Sequence, residues 1–300
     1  MNTEESQSGS HRHHLTLGIS YILLAMLFLA ILSLISRYTS KNVPLSMILM
    51  FQGFIGWILV LPWLYAHGWG MLRTERFGLL FFRSFVGGVI GFGLVFLAVQ
   101  KISLVNAMLL NSAGPIFVPL VLRIWRKVPI NHLLWPGVIG GFIGIALILQ
   151  PTKSIVNPGA LFALIAGIIL SFSIVTNRLL SYTERNHTVM FYYFGITAIT
   201  CLPVSLYQWV WPSFWDWCGI IAIGIFTMAM QWFNFRSYHF AKATVLGPFV
   251  YSSVVYSVIL DWAIYGEIPN FIAWIGIALV CAGGIWTILF NPTPPAQHPS

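Results

Sequence analysis

Long stretches of this chain contain no charged residue. Lys153 to Arg178, Arg185 to Asp216 and Lys242 to Asp261 enclose none between their ends, and nothing after Glu267 is charged. Each run is long enough to cross a hydrocarbon core roughly 30 Å thick, which takes about 20 helical residues. Lipid offers the backbone no hydrogen-bond partners, so a segment of this kind satisfies its own N–H and C=O groups by forming a helix. Composition closes off the soluble alternative. The chain is 58% hydrophobic and 7% charged, against about 25% charged residues in an ordinary soluble domain. That few charges could not cover its surface in water.

The net charge of +8 does not point to nucleic acid. The basic residues punctuate the ends of the apolar runs instead of gathering on one soluble segment. Cys201, Cys218 and Cys281 are too few and too scattered for a disulfide framework or a metal site. They read as small apolar residues, and no cofactor is expected. The first run, Leu15 to Ser36, is longer than a signal-peptide core and lacks a cleavage site, so it reads as a retained span.

The spacing predicts an all-α membrane protein with ten transmembrane helices, at 15–37, 43–66, 77–100, 103–124, 131–150, 158–180, 188–210, 214–240, 243–264 and 269–290. Turn residues mark the breaks at Asn42-Val43-Pro44, Val128-Pro129, Gln150-Pro151, Asn157-Pro158 and Ile268-Pro269. Residues 1–14 are polar and read as a disordered tail, and 291–300 as a second tail. With the N-terminus inside, eleven of the 15 Lys and Arg residues face the cytoplasm. Only Arg37, Lys41, Lys101 and Lys153 then face outward. The positive-inside bias therefore predicts a multi-pass protein of the cell membrane with both termini cytoplasmic. Trp209, Trp211, Trp215 and Trp217 would then sit at the outer interface.

Shifting the chain by 140 residues aligns the first five predicted helices (15–150) with the second five (158–290). Identities under that shift are sparse, among them Ser33/Ser173, Met50-Phe51/Met190-Phe191, Trp69/Trp209 and Pro129/Pro269. The topological point is stronger. Five helices per half is an odd number, so the second half inserts upside down, giving two inverted five-helix repeats. Such repeats place a site near the midplane and let the halves rock about it.

The stretch Phe240-Ala-Lys-Ala-Thr-Val-Leu-Gly-Pro-Phe-Val-Tyr251, running on to Tyr265-Gly-Glu-Ile-Pro269, resembles the ninth-helix pattern of the drug/metabolite transporter superfamily, in its ten-helix EamA-like branch. A looser counterpart, Asn106 to Pro115 followed by Arg126-Lys-Val-Pro129, stands in the first half, and Arg83-Ser84 opens helix three as in that family. The resemblance covers residues 15 to 290. It implies paired EamA repeats, a central cavity and alternating access, with amino-acid-like or nucleotide-like solutes as cargo. Two departures stand out. Gln52 occupies a helix-two position where many members carry Arg, and Lys127 replaces the acidic residue usual after helix four.

Polar residues at membrane depth are costly and usually face the bundle interior. Under the 140-residue shift Asn111-Ser112 falls on Tyr251-Ser252, Gly91-Phe92 on Gln231-Trp232, and Gln52 on Tyr192. The expected cavity is floored by Gly87, Gly88, Gly91 and Gly93 of helix three and walled by Trp232, Gln231, Tyr251 and Asn111. Candidate solute-binding residues are thus Asn111, Ser112, Gln231, Trp232, Tyr251, Ser252, Gln52, Tyr192 and Tyr256. The blander reading of the small and polar residues is helix packing and interhelical hydrogen bonding. Arg83 reads as a snorkelling anchor, and Asp261 and Glu267 lie near the outer surface. Expected partners are a small-molecule solute and membrane lipids, with the chain a monomer and a dimer left open. A lipid flippase or scramblase shares this architecture. A membrane-embedded enzyme would need a catalytic constellation, and the chain has no H-E-x-x-H or G-x-S-x-G motif and no close carboxylate pair within a span.

Overall fold

The computed structural model describes residues 2–126, 133, 135–149, 157–241, 246, 249–266 and 270–290. Every regular element among them is helical. We number the helices α1 (Asn2–Thr39), α2 (Leu45–His67), α3 (Phe77–Lys101), α4 (Leu104–Asn111), α5 (Gly114–Arg126), α6 (Trp135–Leu149), α7 (Pro158–Ser181), α8 (Asn186–Tyr207), α9 (Phe214–Phe240), α10 (Ser252–Tyr265) and α11 (Phe271–Leu289). Six contain apolar segments long enough to span a bilayer: Thr16–Thr39, Leu45–Ala66, Phe77–Lys101, Pro158–Ser181, Asn186–Tyr207 and Phe214–Phe240. The turns expected at Val128-Pro129, Gln150-Pro151 and Ile268-Pro269, the residues Lys127 and Glu267, and the tail 291–300 lie outside the described residues.

Local chemistry explains where these helices begin. The Asn157 side chain accepts from the Gly159 N–H at 3.0 Å, and Pro158, which has no N–H to satisfy, fills the first helical position of α7. Ser213 and Asp216 form a reciprocal capping box at the start of α9. At the other end of α10, Gly266 adopts a left-handed φ of 67° that closes the helix. Helix α1 begins at Asn2. No proline interrupts it, and a helix already nucleated by an apolar span propagates readily.

Two departures from regular helix matter for the site. Within α3, Arg83–Gly91 is a π-helix, a widened form that is rare and recurs at functional sites. The single helix expected at 103–124 is broken at Ser112-Ala113 into α4 and α5. Pro115 in the first turn of α5 lacks the N–H that an unbroken helix would bond back to Asn111. The break lies against α7: a Cβ at Gly167 would stand 2.6 Å from the Leu110 carbonyl oxygen and 3.1 Å from that of Asn111. Only glycine permits that approach. In the second half, Tyr251 is a turn residue immediately before α10, so the chain also departs from helix there, at the position the 140-residue offset assigns to Asn111.

The main helix contacts recur when the halves 15–150 and 158–290 are exchanged. Helices α2 and α8, and α6 and α11, pack as equivalent pairs, and α10, the counterpart of α5, packs on α4. The contact of α1 with α9 is matched by α7 with α3, that of α1 with α10 by α7 with α4 and α5, and that of α2 with α9 by α8 with α3. The main apolar core runs through both halves, from Ile22, Met26 and Leu32 of α1 to Ile220 and Ile223 of α9 and Val254 of α10. Outward-facing positions are also apolar, including Ile58, Ile139, Ile199, Ile225, Ile259 and Trp262. A surface so continuously apolar suits lipid and would be an aggregation liability in water.

Candidate functional site

A cavity of about 80 Å³ lies between α1, α3, α4, α7, α8 and α9. Its apolar walls come from residues such as Met26, Leu29, Phe92, Val95, Ile169, Leu170, Ile174 and Met230. The polar lining is Asn111 and Ser112 at the break between α4 and α5, Ser173 and Asn177 on α7, Gln231, Asn234 and Tyr238 on α9, Tyr193 on α8, and Arg83. Apolar walls with a few placed polar groups are the usual make-up of a small-molecule site.

Arg83 organises the polar end. It is 4% exposed, so the snorkelling expected from sequence is corrected. The π-helical turn and the neighbouring helices α7, α8 and α9 hold the guanidinium inward. Its Nε donates to Asn177 Oδ1, and its Nη2 donates to Gln231 Oε1 at 3.1 Å. The guanidinium carbon stands 5.0 Å from the centre of the Tyr193 ring, within cation–π range. Nη1 is buried with no hydrogen-bond partner among the described residues. Helix α3 approaches α8 closely enough for this because of Gly88, where a Cβ would meet Thr197 Oγ1 at 2.7 Å and the Tyr193 ring at 2.9 Å.

Of the sequence candidates, Asn111, Ser112 and Gln231 line this cavity. Ser112 Oγ also lies 2.7 Å from Ser253 Oγ, a hydrogen bond that joins the two halves at their breaks. The other six stand outside the lining. Tyr251 is buried in the main core with its hydroxyl lacking a described partner, and Ser252 donates to the Phe249 carbonyl one turn back. Trp232 turns toward α1, edge-on to Tyr21 at 6.0 Å, with the Arg236 guanidinium over its ring. Gln52 is fully buried between helices, and neither atom of its amide has a described partner. The Tyr192 hydroxyl donates to the Leu72 carbonyl at 2.9 Å, and Tyr256 packs on the core. Sequence reasoning missed Asn177, Tyr193, Asn234 and Tyr238. No motif marks them, because they meet only after α7, α8 and α9 are packed. Of the helix-three glycines, Gly87 and Gly91 do line the cavity.

The opposite end of the bundle is closed by polar contacts between halves. Asp261, on α10, is fully buried. Its Oδ2 accepts from the Val105 N–H in the first turn of α4 at 2.9 Å, and its Oδ1 lies 3.9 Å from Nη1 of Arg37 on α1. Nearby, Asn42 donates to Asp216 Oδ1 at 3.2 Å. Position near a helix end suggested an outer-surface carboxylate; the packing of α1, α4 and α10 removes it from solvent. Among the described residues, no group of His, Cys, Asp and Glu side chains could hold a metal ion.

Comparison with known proteins agrees with this architecture. The EamA-like transporter family matches residues 16–150 and again 157–289. A riboflavin transporter of Vibrio cholerae is 27% identical over 90% of this chain and 92% of its own length. An S-adenosylmethionine uptake transporter of Rickettsia prowazekii is 24% identical over 84% and 86%, and a pseudopaline exporter of Pseudomonas aeruginosa is 22% identical over 91% and 93%. A protein solved by crystallography, 19% identical, shares the fold with a TM-score of 0.64 over 93% of this chain and 97% of that one. With two successive matches that together span nearly all of it, the chain is a multi-pass membrane protein that belongs to the EamA-like transporter family of the drug/metabolite transporter superfamily, whose members resembling it here are named for the transport of small metabolites.

Proposed function

We propose that this protein carries a small organic solute across the cell membrane by alternating access, with ten transmembrane helices in two inverted repeats rocking about the central cavity. The observation that carries the reading is a mismatch between packing and cavity. The main helix contacts are preserved when the halves are exchanged, yet the cavity is not. Three lining pairs are related by the 140-residue offset, Met26/Ala166, Leu29/Ile169 and Gly91/Gln231. The polar residues Arg83, Tyr193 and Tyr238 have no such mates. Their counterparts are Ile223, Gly53 and Ala98, all buried in the closed half of the bundle. A two-fold scaffold holding an off-axis cavity is one of two exchange-related states. The other would open the end now sealed by Asp261, Arg37 and Asn42.

Arg83 and Tyr193 lie near the starts of α3 and α8, and Asn177 and Tyr238 near the ends of α7 and α9. Under the orientation expected from the Lys and Arg distribution, that end is cytoplasmic and this conformation faces inward. The site residues in this reading are Asn111, Ser112 and Gln231 from the sequence, joined by Asn177, Tyr193 and Arg83. The test is uptake of riboflavin, S-adenosylmethionine, amino acids and simple carboxylates such as nicotinate into proteoliposomes holding the purified protein. Wild-type protein should move at least one of them, and Gln231→Ala and Asn111→Ala should each lower that uptake at least tenfold. Variants as active as the wild type would place the pathway elsewhere. Movement of labelled phospholipid without any solute would make the protein a flippase.

A further inference from the structure

Arg83 is the one charged side chain among the described residues lining the cavity, and its partners there are neutral. Asn177 and Gln231 supply amide oxygens to Nε and Nη2, and Tyr193 supplies a ring face. These groups orient a guanidinium without cancelling its charge. Among the described residues no carboxylate lines the cavity: Glu184 accepts from Thr74, Asp216 from Ser213 and Asn42, and Asp261 from Val105 while facing Arg37. Glu75 sits in the short connection before α3. An Arg does not shed its proton, and a buried charge without a counter-ion is costly. What remains unfilled is one sign of charge, on a residue of the cavity wall, and one donor nitrogen of that residue, Nη1, which is buried without a described partner.

We propose that the solute carried by this protein is an organic monoanion whose carboxylate pairs with the guanidinium of Arg83. This deepens the carrier reading and rests on it. A single negative charge neutralises the site. A phosphate dianion would leave an excess negative charge with no second cation in the described lining. A zwitterion would bring an ammonium with no carboxylate to meet it. The planar guanidinium fork matches a carboxylate in geometry as well as sign. Beyond Arg83, Met26, Leu29, Phe92 and Met230 suit an apolar body, and Asn111 and Ser112 can hydrogen-bond its far end.

The smallest probe is acetate, whose size suits the cavity. Purified full-length protein in detergent is melted with sodium acetate or sodium nicotinate, each at matched ionic strength against sodium chloride, sodium phosphate, acetamide and nicotinamide. A ligand that binds only the folded state raises stability by mass action. Both acids should raise Tm by about 2 °C or more, with the two amides flat. The shift should vanish in Arg83→Gln and persist in part in Arg83→Lys. Wild-type acid and amide are compared without any variant, so a poorly folding Arg83→Gln would not blunt the test. Equal shifts from acid and amide, no shift from either acid, or a larger shift from phosphate would each overturn the proposal. The two readings fail separately. Riboflavin uptake by wild-type proteoliposomes alongside a flat acid response would sink the anion site and leave the carrier standing. Acid binding without transport of any solute, nicotinate included, would do the reverse.

Discussion

A guanidinium in the middle of a membrane protein is held by whatever lies within reach of its five N–H groups. Here these are two side-chain amides and an aromatic ring, contributed by α7, α9 and α8. Asn177 is itself buried, 3% exposed, and its Oδ1 has a charged donor to satisfy. Replacing it with Leu leaves the Nε of Arg83 without an acceptor and should destabilise the protein by about 2 kcal/mol. Asn177→Asp would instead place a carboxylate against Arg83. It should keep the melting temperature while abolishing any stabilisation by acetate, because the site is then neutral before the probe arrives. The same scale governs Gly167. A methyl group there would overlap the carbonyls of Leu110 and Asn111, so Gly167→Ala should cost about 1–3 kcal/mol, read as a lower midpoint of thermal unfolding in detergent.

Elements rather than residues set the closure of the far end. α4 begins at Leu104 with Ser103 as its cap, and its first turn carries unsatisfied N–H groups that draw negative charge. Asp261 supplies that charge from α10, in the other half of the chain, while Arg37 approaches from α1. Three helices from two halves therefore meet at one buried carboxylate. Asp261→Asn keeps the shape but discards the charge, and should lower stability by about 2 kcal/mol or more. In the alternating-access reading it should also speed labelling of a cysteine introduced at Ser103, at the cap of α4, by a membrane-impermeant thiol reagent from outside. Labelling at the wild-type rate would show that this contact does not hold the end shut.

At the scale of the whole molecule, two interlocked halves imply that holding one end fixed should stop the cycle. Asn42 and Asp216 face each other across the halves at that end. With both replaced by Cys and Cys218, the exposed native thiol, replaced by Ser, a short bifunctional thiosulfonate linker should stop uptake in proteoliposomes. Reductant should restore it. Uptake unchanged by a complete cross-link would mean that the halves do not separate there during transport.

The sequence by itself determined that this chain spans a membrane as helices, since charge-free apolar runs leave no other way to satisfy the backbone. Those runs also placed the six long apolar spans to within a few residues, and the 140-residue offset pointed to Asn111, Ser112 and Gln231, which do line one cavity. Tertiary structure alone decided the rest. Whether a polar residue faces the cavity, lipid or a neighbouring helix depends on helix rotation, and a helix that is apolar all round carries no periodic signal of that rotation. That is why Trp232 turned toward α1 and Tyr192 toward Leu72. It is also why Arg83, near the end of a span, could be read as an anchor. A π-helical turn and three packed neighbours make it a buried cation, and no pattern within α3 announces either.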